Sequence, residues 1–392
     1  MVIVLSCLFM RKVSIILSIL CLNVFGKTVR AQSMDSLSSL VNQRDTIAVK
    51  ALNKLFNLTY HSTPDIALDY TLKALDIALD INYQQGIAYC YNNIGVIYKN
   101  QGVLDKAMDY YSKSLRLNED IGNSKGRASN LSNIGTVYSL QGDQDKALTY
   151  FMRAYRTLDS LGNQQDLIGA LNNLGNTYLK KGEDYRAIGF YKKALEIFNR
   201  YPDTPIDPYS NIGQVYLNRG EYWRARKYFY LAKKFGEKNK NQTVMGFANH
   251  NLGIIASRTG NIDDAIKLED TALEQSQQAM NIPLLKDIHL ALAQFYYEKK
   301  EYKRAYDHRL LYDSYLQDIY TQLNNQQLNE SRITYKLMKK EKELALNNKQ
   351  DELMGGKSHI FIILGIMALM IIMASLFVVY FVRKSKKEET KA

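Results

Sequence analysis

Apolar residues recur along the middle of the chain at the spacing of a helix face. In the segment L-N-N-L-G-N-T-Y (171–178), the leucines, the glycine and the tyrosine stand at i, i+3, i+4 and i+7, which is one face of an α-helix. Gly182 then interrupts the pattern. After it, Ala187, Tyr191 and Ala194 form the apolar stripe of a second helix. This segment is therefore predicted to be a helical hairpin.

The same unit occurs five times in register, at about residues 88–275. Its first glycines are spaced by 40, 40, 38 and 40 residues. They are Gly95, Gly135, Gly175, Gly213 and Gly253. Degenerate units flank these five, so the array is predicted to cover residues 45–312. Because a single hairpin leaves apolar edges exposed, neighbouring hairpins should stack into an α-solenoid that buries them.

This spacing resembles the tetratricopeptide repeat, in which a large residue, Leu, Gly and Tyr lie on one helix and Ala, an aromatic residue and Ala on the next. The resemblance covers roughly residues 88–312. The usual period is about 34 residues, and the longer period of this chain implies longer helices or longer linkers. The repeat is similar to the extended variant of peptide-binding scaffolds and bacterial sensor proteins. The resemblance implies an all-α solenoid with a concave groove that binds a peptide or protein segment.

One polar position recurs without a packing reason, two residues before each first glycine. It is occupied by Asn93, Asn133, Asn173, Asn211 and Asn251. Asparagine in a helix interior costs roughly 0.6 kcal/mol relative to alanine, so its recurrence indicates a role. In the repeats that this sequence resembles, the position faces the concave groove, where an amide can bond an extended peptide. Alternatively, these amides bond the backbone of the neighbouring repeat and order the stack, and the two roles are compatible.

Two features interrupt the regular pattern. Trp223 is the only tryptophan and stands where three other units have an aspartate, so it either anchors a partner or packs locally. The segment Y-P-D-T-P-I-D-P-Y (201–209) holds three of the five prolines and coincides with the shortened period. It predicts a kinked junction within the array.

Both ends carry the patterns of targeting segments. Residues 1–31 have a basic start, an apolar stretch and V-R-A before the end, which predicts a signal peptide cleaved after Ala31, with an uncleaved signal anchor as the alternative. Residues 360–382 contain no charge and would span about 35 Å as a helix, enough to cross a bilayer core. The basic tail 383–392 should then lie in the cytoplasm. These patterns predict a single-pass protein of a bacterial inner membrane with a periplasmic array.

Residues 313–354 join the array to the predicted anchor and contain no proline or glycine. They predict a long helical stalk of about 60 Å if it is continuous. Polar residues interrupt its heptad pattern. The stalk is therefore either a single helix or a weak coiled coil that joins a homodimer.

Composition serves mainly to exclude functions. Of the net charge of +12, residues 1–31 hold +4 and residues 383–392 hold +3. The +5 that remains on the 351 residues between them is too diffuse to predict a nucleic-acid partner. Cys90 alone remains after signal cleavage and the five histidines are scattered, so we expect no metal or disulfide. We also expect no cofactor, no catalytic residue and no enzyme activity, because no catalytic motif is present.

These features predict a non-enzymatic scaffold, tethered to the membrane, that binds a peptide or protein segment. The order of signal, repeats, stalk and anchor also resembles the periplasmic sensing part of bacterial membrane-anchored repeat regulators. The alternative is therefore the input half of a transmembrane signalling or transcription-regulating system. No kinase or helix-turn-helix pattern follows the anchor, so we expect its output domain to be separate or lost.

Overall fold

The computed structural model describes residues 44–321, except 61, 163, 203 and 205, and residues 331–346, with a few isolated positions outside these ranges. The regular secondary structure of the described residues is α-helical throughout. Its helices are α1 (Thr46–Thr59), α2 (Pro64–Asp80), α3 (Gln84–Asn100), α4 (Leu104–Asp120), α5 (Ser124–Leu140), α6 (Gln144–Ser160), α7 (Gln164–Lys180), α8 (Asp184–Phe198), α9 (Pro208–Asn218), α10 (Tyr222–Asn239), α11 (Gln242–Arg258), α12 (Ile262–Gln278) and α13 (Ile282–Glu298), then α14 (302–321) and α15 (331–346).

Consecutive helices pair into seven hairpins within residues 46–321, from α1–α2 to α13–α14. Within this part of the chain, most helices are 17 residues long and most turns between them contain three residues. Two such helices and two such turns make up the forty-residue period. The excess over the usual period of about 34 residues therefore lies in longer helices and not in longer linkers. The all-α solenoid predicted from the repeat pattern is confirmed.

Each regular turn places one residue in the left-handed backbone region, at intervals of twenty residues. At Gly142, φ is +85° and a Cβ atom would meet no atom within 4 Å, so glycine is favoured by the backbone alone. The other glycines in this conformation are Gly102, Gly122, Gly162, Gly182, Gly220 and Gly260. At the remaining such turns the left-handed residues are Asn82, Lys240, Met280 and Lys300.

The core of four hairpins contains an aromatic ring packed directly on a glycine. A Cβ atom at Gly175 would lie 2.5 Å from the ring of Tyr191 on the facing helix. The equivalent pairs are Gly95 with Tyr111, Gly135 with Phe151, and Gly213 with Phe229. All four rings are buried. The first glycine of each unit thus lets the two helices approach closely enough to cover the ring, as the repeat pattern predicts.

The shortened period lies at the proline-rich segment. Here α8 ends at Phe198, α9 begins at Pro208, and the two helices have only 15 and 11 residues. The Asp207 carboxylate caps α9 by accepting hydrogen bonds from the Tyr209 amide at 3.0 Å and the Ser210 hydroxyl at 2.5 Å. A longer connection and two shorter helices therefore replace the regular turn.

The predicted targeting segments lie largely beyond the described residues. Residues 1–31 and 383–392 lie wholly outside them, and only five isolated positions of 360–382 are described. In the part of the chain that the structure does describe, no helix combines the length and the apolar character needed to cross a membrane. Of the predicted stalk 313–354, α14 extends to residue 321 and α15 covers residues 331–346. The chain divides into two compact units, residues 1–330 and 331–392.

Candidate functional site

The first helices of the hairpins form one side of the array, which we call the first-helix face. Two clefts open on it near the N-terminal end, one of about 260 Å³ between α1 and α3 and one of about 220 Å³ between α3 and α5. Gln85 and Tyr89 of α3 line both clefts. The Tyr89 side chain is exposed and therefore offers an aromatic surface between them. Neither residue belongs to the recurring pattern, because Gln85 has one equivalent glutamine, Gln165, and Tyr89 has no equivalent tyrosine in the other repeats.

A chain of asparagine amides lines the α3–α5 cleft. Asn123 Nδ2 donates to Asn118 Oδ1 at 2.7 Å, and Asn118 Nδ2 donates to Asn130 Oδ1 at 2.8 Å. Asn130 Nδ2 then donates to Asn92 Oδ1 at 3.1 Å, and Asn133 Nδ2 donates to the same oxygen at 2.8 Å. Because each amide is held by its neighbour, the polar groups of the cleft have fixed orientations before any ligand arrives.

The recurring asparagines of the sequence pattern make two kinds of contact. Three of them donate to an asparagine oxygen about forty residues earlier, and so connect adjacent hairpins. These pairs are Asn93 to Asn53 at 3.0 Å, Asn133 to Asn92 at 2.8 Å, and Asn211 to Asn172 at 2.6 Å. Asn251 instead donates to the Phe247 carbonyl of its own helix at 2.8 Å.

The three contacts between hairpins connect neighbouring repeats, but their acceptors are side-chain oxygens and not the backbone groups of the inter-repeat alternative. Asn93 and Asn251 are only 3% and 5% exposed, which leaves little of either amide for a ligand. Asn133, Asn173 and Asn211 are half-buried. Ligand binding by the recurring asparagines stays a prediction.

The acceptors were missed although the sequence contains a signal for two of them. Asn92 and Asn172 immediately precede the recurring asparagines, in the pairs N-N at 92–93 and 172–173. Asn118 and Asn130 carry no repeating signal, because they lie on different helices and meet only when hairpins stack. Asn92 and Asn172 can therefore be found from the sequence of a single helix, whereas Asn118 and Asn130 cannot.

The charge of the two clefts has one sign. Lys50 and Lys54 line the α1–α3 cleft and Lys125 lines the α3–α5 cleft, whereas no aspartate or glutamate is among the described residues that line either one. All three lysines are exposed, and Lys125 Nζ lies 2.7 Å from Asp166 on α7. The clefts therefore favour a ligand with carboxylates.

The sixth hairpin, α11–α12, replaces the buried aromatic ring with a carboxyl group. Glu269 faces Gly253 and is fully buried. Its Oε2 lies 2.9 Å from His250 Nδ1, and its Oε1 has no hydrogen-bond partner among the described residues. Burial raises the pKa of Glu269 above its ordinary value, and the neighbouring His250 opposes the rise. The carboxyl fixes the orientation of the imidazole on the first helix.

The last hairpin contains a second histidine contact. His289 Nδ1 lies 2.9 Å from His308 Nδ1. Burial and the neighbouring His308 lower the pKa of His289 to about 4, and burial also lowers the pKa of His308. Across the described residues, no group of three or more His, Cys, Asp or Glu side chains is arranged to hold a metal ion.

Trp223 lies away from both clefts, on the second helix of the fifth hairpin. Its side chain is 69% exposed, and the Arg224 guanidinium lies 4.9 Å from its ring. The Trp223 ring therefore contacts one neighbouring cation and is not buried in a core. Its role as a partner anchor stays a prediction.

A family model described as tetratricopeptide repeat matches residues 86–160 and 166–235. No curated protein matches the chain in sequence. Among solved structures, the apo form of RapI is 12% identical with a TM-score of 0.53, over 70% of this chain and 99% of that one. A Rap protein complexed with Competence and Sporulation Factor is 16% identical with a TM-score of 0.50, over 74% and 80% of the two chains.

A third similar structure is a signal transduction ATPase with numerous domains from Pyrococcus horikoshii, which has a tetratricopeptide repeat sensor. It is 16% identical with a TM-score of 0.55, over 70% of this chain and 46% of that one. This chain therefore spans about half the length of that protein. At such identities the likeness concerns the fold alone. The chain contains tetratricopeptide repeats, and its array is a helical solenoid of that type.

Proposed function

We propose that this array of tetratricopeptide repeats is a non-enzymatic scaffold that holds an extended segment of a peptide or protein against its first-helix face. The observation that carries the proposal is the amide-lined cleft between α3 and α5. An extended backbone presents unpaired N–H and C=O groups that must be satisfied when they are buried. Asparagine side chains satisfy both kinds of group, since each amide has donors and an acceptor.

The arrangement of the clefts supports one continuous segment. Tyr89 and Gln85 border both clefts, so a segment that leaves one cleft passes directly over the aromatic ring into the next. Lys50 and Lys54 would lie beside it, which favours acidic residues in the ligand, whereas Lys125 already pairs with Asp166. The Rap protein structure with Competence and Sporulation Factor supports the proposal by analogy of fold, because a similar solenoid was crystallised with a bound factor.

We also propose that the array lies in the periplasm and that residues 360–382 anchor the chain in a bacterial inner membrane. The support is the sequence pattern, in which an exported start is followed by one uncharged segment and then by cations. Fusions to residue 392 test the orientation. A fluorescent protein there should be bright and alkaline phosphatase inactive, and the opposite pair of results would refute this topology.

Binding at the first-helix face is tested with the full chain in detergent and a displayed library of random peptides. Synthetic copies of the selected peptides should bind the Tyr89→Ala variant at least about fivefold more weakly, because a buried aromatic contact contributes about 1–3 kcal/mol. Tyr306→Ala is the matched control, since Tyr306 is an exposed tyrosine on α14. The proposal fails if no peptide is selected, or if both variants bind every selected peptide as tightly as the wild type.

A further inference from the structure

An aromatic stack with a cation recurs between the two helices of a hairpin. In the fourth hairpin, the ring of Tyr178 stacks on Phe190 at 5.3 Å, and the Arg186 guanidinium lies 5.6 Å from the tyrosine ring. The tyrosines that occupy this repeat position are Tyr98, Tyr138, Tyr178, Tyr216 and Tyr296. The cations over the last four of them belong to Lys146, Arg186, Arg224 and Arg304.

The sixth hairpin lacks all three members of this stack. Ala256 occupies the tyrosine position, Leu268 that of the second ring, and Asp264 that of the cation. These three residues all line a cleft of about 470 Å³ between α10 and α12, which we call the second-helix cleft. The cleft therefore exists because side chains that fill the same place in other hairpins are missing or smaller here.

The second-helix cleft has an apolar floor, and its lining holds two cations, Arg226 and Lys267, and one carboxylate, Asp264. Leu252 and Ala256 of α11 are buried at its base, and Leu268 is half-buried beside them. Arg226 and Tyr230 of α10 form the rim on one side. The cleft lies between the second helices α10 and α12, shares no lining residue with the two clefts of the first-helix face, and is larger than either of them.

Positive charge is concentrated on the helix that forms this rim. Helix α10 contains six Lys or Arg residues and one Glu, so it alone holds a net charge equal to the +5 spread over the central 351 residues. Its exposed aromatic and basic side chains fall on one face at helical spacing. They are Trp223, Arg226, Lys227, Tyr230, Lys234 and Lys238.

Arg226 of this face differs in its ion pairing from the arginines of the preceding hairpin. Arg186 on α8 and Arg200 just after it pair with glutamates at 2.7 and 3.0 Å. By contrast, Arg226 and Lys227 form no ion pair with any residue that the structure describes. Exposed cations that form no ion pair with the described residues are available to carboxylates of another chain.

We propose that the second-helix cleft and the exposed face of α10 bind an acidic segment of a protein partner, with one aromatic side chain of that segment in the cleft. The volume left by the missing tyrosine stack and the apolar floor select a ring of that size. Arg226 and Lys227 then contact carboxylates that flank the ring. Exposed Trp223 and Tyr230 add the residue types that dominate protein interfaces. A cleft of about 470 Å³ can hold a side chain of a protein segment, whereas the flat surface of a lipid bilayer presents no such side chain.

The test uses the full chain and a displayed library of random peptides, with Trp223 emission and the polarisation of labelled peptides as readouts. Because Trp223 is the only tryptophan of the chain, its emission reports on this face alone when the peptide contains no tryptophan. We expect the selected peptides that shift Trp223 emission to combine several Asp or Glu residues with one aromatic residue. Their binding should weaken as salt is added, because exposed charges are screened.

Two variants separate the cleft from the charge. The double variant Ala256→Tyr and Leu268→Phe restores both rings of the stack without a change in charge, and should weaken binding at least tenfold without loss of thermal stability. Arg226→Glu with Lys227→Glu should weaken binding roughly thirtyfold, since each surface cation contributes up to about a factor of six. Lys192→Glu with Lys193→Glu makes the same charge change on exposed residues of α8 and should leave binding within twofold of the wild type.

Three results would overturn the proposal. The first is that peptides which shift Trp223 emission are not enriched in acidic and aromatic residues. The second is unchanged binding after the stack is rebuilt, or equal losses from the α8 and α10 charge reversals. The third is that phosphatidylglycerol vesicles shift Trp223 emission while no peptide does, which would identify the face as a lipid-binding surface. Tyr89→Ala should not affect this binding, so failure here is distinguishable from failure at the first-helix face.

Discussion

Replacement of Glu269 by phenylalanine tests how far the packing of one hairpin can be transferred to another. Glu269 occupies the position of the buried rings in four other hairpins and faces Gly253 as Phe229 faces Gly213. Complete burial of a phenylalanine side chain contributes about 1.5–3 kcal/mol. Loss of the hydrogen bond to His250 costs a comparable amount. The substitution also removes the cost of keeping a carboxyl group away from water, which adds to stability.

The net effect expected for Glu269→Phe is a stabilisation of about 2 kcal/mol, within the range seen when buried ionic pairs are replaced by apolar side chains. Urea denaturation followed by helical circular dichroism would show it as a midpoint higher by about 0.7 M, for a slope near 3 kcal/mol per M. Because helical repeats can unfold in parts, hydrogen exchange of α11 and α12 should confirm that the added protection is local.

The reciprocal substitution Phe229→Glu in the fifth hairpin provides the matched control. It places a carboxyl group on Gly213, where the structure offers no histidine in the described contacts of that ring. We expect a loss of at least about 3 kcal/mol, because an unpaired charge would be buried. A stabilised Phe229→Glu, or a Glu269→Phe that lowers the urea midpoint, would refute the argument that the two positions are equivalent in packing.

Three further predictions concern single residues. Burial raises the pKa of Glu269 above its ordinary value of 4.5, so the folded state holds this proton at pH values where the unfolded state has lost it. Stability measured by urea denaturation should therefore fall as pH rises from about 4.5 through the folded pKa, and Glu269→Gln should remove that part of the pH dependence. Gly142→Ala should cost about 1 kcal/mol through its positive φ, whereas Gly175→Ala should cost at least about 2 kcal/mol in thermal unfolding, since its Cβ would overlap the Tyr191 ring. Asp207→Ala removes the cap of α9 and should lower stability by about 1–2 kcal/mol, whereas Asp207→Asn should retain most of it.

The helical hairpins and their period could be predicted because they depend on residues close in sequence and recur five times. Gly175 and Tyr191 lie on the two helices of one hairpin, and their contact is the same in three other hairpins. The asparagine network could be predicted only in part. Asn93 repeats visibly, but its partner Asn53 lies forty residues earlier in a degenerate unit. Such a contact follows from the stacking of hairpins and not from a local pattern.

The second-helix cleft illustrates a different limit. Ala256, Asp264 and Leu268 each depart from the repeat, and an alignment of the five units displays every one of these differences. What the sequence does not display is that the three positions converge on one place together with Arg226 of the preceding hairpin. The basic face of α10 is also not evident from the net charge of the central region, because acidic helices such as α12 offset the charge of α10.

The left-handed turns at twenty-residue intervals have a consequence for how such a chain can change in length. Equivalent turns lie forty residues apart. The segment between two of them is therefore one complete hairpin with its turns, which we call a module. Insertion or deletion of one module alters only the two interfaces at the junction, because each hairpin contacts its immediate neighbours. The span of the surface that faces a partner can therefore grow or shrink in whole hairpins, without redesign of any other interface.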